Sequence, residues 1–254
     1  MHYDESDESN INNPSQSRSE CSYSVKFIIV GDSSVGKSNI LLRFSRNVFD
    51  PGHQATLGIE FANKHLEYNN IDYLVQVWDT AGQENFRSVT RAYYKASAVA
   101  MVVYDISNEE SFQHIQSWIK DCKDLAPKTV QLVLIGNKSD LEDQRVISTE
   151  RGQELARENN MIFFETSALN GKGIEEAFQK SIEEVDQKIR SGFYDLSNSS
   201  TQGIKKIDNG NDGNGESSCS AVVSVPMTLP ASSRSPIPVS PVSTSIPVLR
   251  QSRE

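Results

Sequence analysis

From Val25 onward the chain alternates between short apolar runs and stretches with apolar residues at helical spacing. Val25-Lys-Phe-Ile-Ile-Val-Gly31, Tyr73–Trp78, Ala98–Tyr104, Val130–Ile135 and Met161–Phe164 have the pattern of buried strands. Between them, Lys37–Arg46, Glu109–Leu125, a segment running from a Ser148 cap to about Asn159, and Gly173–Arg190 read as helices. Glu109–Leu125 puts Phe112, Ile115, Trp118 and Ile119 on one face, and Gly173–Arg190 does the same with Ile174, Ala177, Phe178, Ile182 and Val185. Strands that alternate with helices predict an α/β fold, a mostly parallel sheet covered on both sides. Ile59–Glu67 and Asp72–Trp78, separated by Tyr68-Asn-Asn-Ile71, read as a hairpin, which makes one edge strand antiparallel.

Both flanks have a different texture. Residues 1–22 are acidic and rich in Ser and Asn, with little to bury, and are expected to be a disordered extension. The pattern stops again after about Gly192. Six of the nine prolines fall between Pro226 and Pro247, so 191–254 reads as a disordered Ser/Pro-rich tail around a single domain at 23–190. Charge excludes little. The net charge is −9, of which −4 lies in the first 22 residues, and no segment is basic enough to bind a nucleic-acid polymer by charge. Cys21, Cys122 and Cys219 are far apart and odd in number, which argues against a disulfide framework or a zinc site. The start has neither a basic, apolar leader nor a glycine at position 2, and no run approaches the ~18–20 apolar residues of a membrane span.

The chemistry begins at Gly31-Asp-Ser33-Ser34-Val35-Gly36-Lys37-Ser38, a complete GxxxxGK[ST] loop between a buried strand and a helix. Its glycines let backbone N–H groups point inward at phosphates, and the helix N-terminus adds positive potential. Lys37 would neutralise the outer phosphates and the Ser38 hydroxyl would ligate Mg²⁺. At this point an adenine nucleotide fits as well as a guanine one. Asn137-Lys138-Ser139-Asp140 follows the strand Val130–Ile135, at the strand ends where open parallel sheets bind ligands. A carboxylate at Asp140 can accept from the ring N–H and the exocyclic amine of guanine; adenine offers no such pair, and an unpaired buried carboxylate costs about 1–3 kcal/mol or more. The stem of Lys138 can cover the base. Thr166-Ser167-Ala168, after the next strand, offers backbone N–H groups to the guanine oxygen.

Gly31–Ser38, Thr56, Trp78-Asp-Thr-Ala-Gly-Gln-Glu84, Asn137–Asp140 and Thr166–Ala168 together resemble the five guanine-nucleotide motifs of the Ras superfamily. Leu57-Gly-Ile-Glu-Phe61, Phe86-Arg-Ser-Val-Thr90, Tyr93-Tyr-Lys95 and Val102-Val-Tyr-Asp-Ile106 resemble the Rab family in particular. The resemblance spans about residues 23–190. It implies a P-loop NTPase fold, a six-stranded mostly parallel sheet with five helices, that binds GTP or GDP with Mg²⁺ and hydrolyses GTP as a switch in vesicle traffic. Carried over residue by residue, it implies that Thr56 binds Mg²⁺ when the γ-phosphate is present, that Asp79 holds Mg²⁺ through a water, and that the Gly82 N–H senses the γ-phosphate. Asn39 joins the nucleotide contacts, Phe49 covers the guanine, and Ile59, Phe61, Trp78 and Tyr93 form the surface that effectors read. Gln83 would orient the attacking water, with Lys37 stabilising charge. Unaided turnover in this class is slow, roughly 10⁻⁴ s⁻¹. An exchange factor, a GTPase-activating protein and effectors are therefore the expected partners of a monomer.

Two departures matter. Leu169 stands where many relatives have Lys; backbone makes the base contacts there, so binding is expected to survive. The sequence ends Arg250-Gln-Ser-Arg-Glu254, without the prenylated cysteines usual in Rabs, and Cys219 lies 35 residues before that end. The location implied is cytoplasmic, or the cytosolic face of endomembranes. The alternative is a non-cycling or soluble GTP-binding protein whose tail recruits partners, but such relatives usually lose the loop Lys or Ser, the switch Thr or the Gln. Ser235-Pro-Ile-Pro238 and Thr244-Ser-Ile-Pro247 match a microtubule-end motif, at the level expected from composition.

Overall fold

The computed structural model describes residues 22–52, 58–80, 92–196, 202–207 and 223–226. Thr56, Gly82, Gln83, Cys21, Cys219 and the two tail motifs lie outside these residues. The strands are β1 (Ser22–Gly31), β2 (Gly58–Tyr68), β3 (Ile71–Thr80), β4 (Val99–Asp105), β5 (Gln131–Asn137), β6 (Ile162–Glu165), β7 (Ile204–Ile207) and β8 (Val223–Pro226). The helices are α1 (Lys37–Arg46), α2 (Glu109–Gln113), α3 (Ile115–Leu125), α4 (Thr149–Glu158) and α5 (Ile174–Arg190).

All eight strands join one sheet, in the order β6-β5-β4-β1-β3-β2-β8, with β7 beside β1. The pairs among β1, β3, β4, β5 and β6 are parallel. β2 returns antiparallel to β3 through Asn69 and Asn70, both in the left-handed region at φ 51° and 60°. Two consecutive positive-φ residues suit a tight hairpin turn, and Asn tolerates them well. Alternation along β1 divides the core. Val25, Phe27 and Ile29 face α1 and α5, where Phe178 stacks on Phe44 at 3.7 Å between ring centroids. Ile28 and Val30 face the opposite layer, with Ile115, Trp118 and Ile119 of α3.

The predicted helix 109–125 is two helices. Asn108 caps α2 by accepting from the Ser111 N–H at 3.0 Å, and the chain then tightens at His114. The Ser117 N–H bonds the His114 carbonyl at 2.9 Å, an i→i+3 bond that interrupts the α-helical ladder. Ser148 caps α4, as its position suggests, by accepting from the Arg151 N–H.

The sheet has two strands more than the six implied, and both come from the segment 191–254, where no element was expected. β7 runs antiparallel to β1, pairing Ile204 with Val25 and Ile207 with Ser22. Its anchors are buried: Ile204 is 1% exposed and Tyr194 4%. β1 accordingly begins at Ser22, three residues before the apolar run, because both β3 and β7 pair with its first residues.

Candidate functional site

Gly31 ends β1 and Gly36 opens α1, with φ of 144° and 97°. A Cβ on Gly36 would lie 2.4 Å from the Asn137 side-chain nitrogen, so only glycine lets the loop close on its neighbour. Ser34 also takes a left-handed conformation, at φ 65°. No side chain caps α1, and its first turn has no acidic residue. The first-turn N–H groups and the dipole at that end suit an anion.

Lys37 is 6% exposed, and its ammonium donates to the Asp32 carbonyl at 2.6 Å. Burial holds its pKa below the usual lysine range, opposed by the carboxylates of Asp79 and Asp32. A cation kept out of water in this way gains from an anionic ligand. The Ser38 hydroxyl donates to the Asp79 carboxylate at 2.5 Å. A hydroxyl and a carboxylate therefore converge beside Lys37, the hard oxygen donors that Mg²⁺ favours.

The loop is also tied to α3. The Trp118 indole N–H donates to one Asp32 carboxylate oxygen at 2.7 Å, and His114 Nδ1 lies 2.6 Å from the other. Asp32 thus bridges the loop to α3 by its side chain and accepts from Lys37 by its carbonyl.

A second cluster forms where β5 and β6 end. Asn137 is 1% exposed. Its amide donates to the Val35 carbonyl at 2.8 Å, which joins this cluster to the phosphate loop. Its carbonyl oxygen accepts from the Thr166 hydroxyl at 3.1 Å and the Ala168 N–H at 3.3 Å. Lys138 has φ 66° and pairs with Asp105, at the end of β4, at 2.7 Å. Asp140 accepts from the Ser167 hydroxyl. The backbone N–H groups expected to face guanine are engaged within the protein: Thr166 with the Gly136 carbonyl at 2.8 Å, Ser167 with Lys172 at 2.9 Å, and Ala168 with Asn137. Arg43 of α1 holds the following turn, donating to the carbonyls of Ala168 at 2.9 Å and Leu169 at 2.6 Å.

The remaining predicted residues are dispersed. Asn39 exchanges two hydrogen bonds with the backbone of Asp50 and so fixes the turn after α1. Phe49 is half-buried and packs against the α1–α5 core. Leu169 is half exposed. Phe61, Trp78 and Tyr93 form a continuous aromatic row, with centroids 4.8 Å and 5.5 Å apart. Ile59 is buried at 2% exposure.

Four side chains in these clusters carried no signal in the sequence. Arg43 and Asp105 are ordinary charged residues until the fold brings them to the base motif. Trp118 and His114 lie more than 80 positions from Asp32 and read only as helix-face residues.

A phosphate loop cross-linked to an Asn-Lys-x-Asp turn at the strand ends defines a P-loop guanine-nucleotide protein. The family model of the Ras family matches residues 26–187, and the chain belongs to that family. It is 47% identical over 173 residues to the Ras-related protein Rab-2B of Dictyostelium discoideum, covering 68% of this chain and 86% of that one. It is thus a small GTPase of the Rab type, a GTP-binding and GTP-hydrolysing switch of vesicle traffic. Members of the family bind GTP or GDP with Mg²⁺ and work with exchange factors, activating proteins and effectors. No helix among the described residues is long and apolar enough to cross a membrane.

Proposed function

We propose that residues 23–190 form the nucleotide-driven unit of this switch and that the two clusters divide the nucleotide between them. The N–H groups of Gly31, Ser33, Ser34, Val35, Gly36, Lys37 and Ser38 face the phosphates, and the Lys37 ammonium turns from the Asp32 carbonyl to the β and γ oxygens. Asp140 accepts from the guanine ring N–H and amine, the Lys138 stem covers one face of the base and Phe49 closes its edge. The Ala168 N–H bonds the guanine oxygen, giving up its long bond to Asn137. Ser38, Thr56 and Asp79 are the residues that would hold Mg²⁺. The ion supplies positive charge to the phosphate oxygens.

Hydrolysis needs positioning and charge more than covalent chemistry. Gln83 orients a water. The water oxygen attacks the γ-phosphorus as the bond to the β–γ bridging oxygen breaks, giving GDP and phosphate, while Lys37 stabilises the charge that builds on the leaving oxygen. Thr56 and the Gly82 N–H order the segments 54–61 and 82–94 around the γ-phosphate, and loss of that group releases them. Effectors then read the Phe61–Trp78–Tyr93 row in the ordered state, at the cytosolic face of endomembranes.

The observation that carries this reading is the Asn137–Val35 bond, which makes the phosphate and base clusters one site. The test is GTP loading of the purified chain followed by phosphate release, alone and with a Rab-activating protein. Slow release that the activator accelerates is expected. Release no faster than in buffer, with the activator present, overturns the hydrolytic role.

A further inference from the structure

β2 borders the row of aromatics that the switch presents, and its outer edge is covered at one place. There the chain's own residues pair with it antiparallel, Gly58 with Pro226, Ile59 with Val225, Glu60 with Ser224 and Phe61 with Val223. A strand edge exposes a row of N–H and C=O groups that any extended segment can use, whatever its side chains.

The occupant suits the edge in two ways. Ala221-Val-Val-Ser-Val225 is a β-branched run in a tail otherwise dominated by Ser, Pro and Asn. Pro226, which pairs with Gly58, has no N–H and so offers no ladder donor at that end of the strand. Chain length permits the path. Asp72 of β3 pairs with Ser22 on one side and with Glu67 on the other, so β7 ends level with Glu67. From there to Val223, beside Phe61, is roughly 20 Å along β2 and about 19 Å across four strand spacings. The 15 residues 208–222 can reach about 50 Å. The chain between β7 and β8 is therefore long enough, and four residue pairs hold the segment on the edge.

We propose that the Gly58–Phe61 edge of β2 is a docking site for an extended segment, that the chain's own Val223–Pro226 occupies it, and that a partner adding a strand there must displace this segment. The proposal goes beyond the nucleotide cycle; because Gly58–Phe61 lies within the segment that the γ-phosphate orders, both proteins are compared in the same nucleotide state. Because the segment belongs to the same chain as its edge, with 15 residues between β7 and β8, its effective concentration there is on the order of millimolar. A free strand of similar strength therefore meets an occupied edge, and its apparent affinity falls roughly threefold to tenfold.

The experiment uses the full chain and a full-chain double variant, Ser224→Pro with Val225→Pro. Neighbouring residues of a strand direct their N–H groups to opposite sides, so the pair of prolines removes a ladder donor whichever residue faces β2. Amide hydrogen exchange is followed at Gly58–Phe61, with Val99–Asp105 of β4 as the control for folding. Expected are faster exchange at Gly58–Phe61 in the variant, unchanged β4, and restored protection on adding a synthetic peptide of residues 219–230. That peptide, fluorescently labelled, should bind the variant threefold to tenfold more tightly than it binds the unaltered chain. Equal exchange in both proteins, or equal peptide binding, overturns the proposal. Protection that rises with protein concentration assigns the strand to a second copy and overturns it too.

Discussion

Replacing Asn137 should loosen the nucleotide without disturbing any charged residue. The Asn137 side chain makes three hydrogen bonds: to the Val35 carbonyl at 2.8 Å, from the Thr166 hydroxyl at 3.1 Å and from the Ala168 N–H at 3.3 Å. All lie in buried surroundings, with Asn137 and Thr166 each 1% exposed. With nucleotide bound, when the Ala168 N–H has turned to the guanine oxygen, Asn137→Ala strands the Val35 carbonyl and the Thr166 hydroxyl. At about 1–1.5 kcal/mol for each bond, the loss is about 2–3 kcal/mol. The bond to Val35 tethers the phosphate loop, so most of this should appear as faster nucleotide release, about 30-fold to 150-fold at ~1.4 kcal/mol per decade. Asn137→Asp separates the hydrogen bond from the cavity. It keeps the shape and the acceptor but sets a carboxylate oxygen against the Val35 carbonyl. Release of a fluorescent GDP analogue into excess GDP measures both variants, with thermal denaturation alongside. A wild-type release rate in Asn137→Asp refutes the idea that this bond couples the two clusters.

Three further outcomes are expected. Asp140→Asn removes the acceptor for two guanine donors and should weaken GDP binding by about 2–3 kcal/mol, while gaining xanthosine diphosphate, whose ring carbonyl accepts from the new amide; competition binding reads both. Asp186→Ala breaks a buried cluster in which Tyr73 OH (2.7 Å), Arg190 Nε (2.7 Å) and Asn69 (3.1 Å) all donate to one carboxylate, and should cost about 3 kcal/mol in urea unfolding. Burial raises the Asp186 carboxyl, but those three bonds outweigh it and hold the group below the usual carboxylate range. Its contribution is therefore complete above the unfolded value of about 3.9 and fades as pH falls through the folded value, so the gap to the variant should stay level from pH 8 to 5 and close in stronger acid. Ile204→Asp puts a carboxylate where a side chain is 1% exposed and should lower stability by about 3 kcal/mol in the same assay, whereas Lys205→Glu, on the exposed side of β7, should change it by less than about 0.5 kcal/mol.

The sequence made most of the scaffold readable because the information was local. Four of the five apolar runs that became strands, all but Tyr73–Trp78, are followed in the chain by a helix. The Asn69-Asn70 turn signalled its hairpin by residue type. The phosphate loop and Asn137–Asp140 could be read because backbone conformation and a few side chains within eight positions define them. What could not be read depends on distant partners. Gly203-Ile-Lys-Lys-Ile207 has two isoleucines three apart, which is neither strand alternation nor a helical stripe, and it pairs only because β1 leaves its first four residues open beside Ala98. The Asp32–Trp118 bond likewise spans 86 positions. Trp118 had a sufficient local explanation as a core residue, so nothing asked for another.

The antiparallel pairing of β7 with β1 also fixes how the domain answers to pulling. Ser22 and Ile207 are partners, so the chain enters β1 and leaves β7 side by side at the pole opposite the phosphate loop. A load applied between residues 21 and 208 strains the Ser22–Ile207 pair first and then the next. The ladder opens like a zipper, one pair at a time, and the sheet's central strands are spared. Tethered through the N-terminal flank, the molecule would keep its nucleotide-binding end facing outward, with β7 beside the point of attachment.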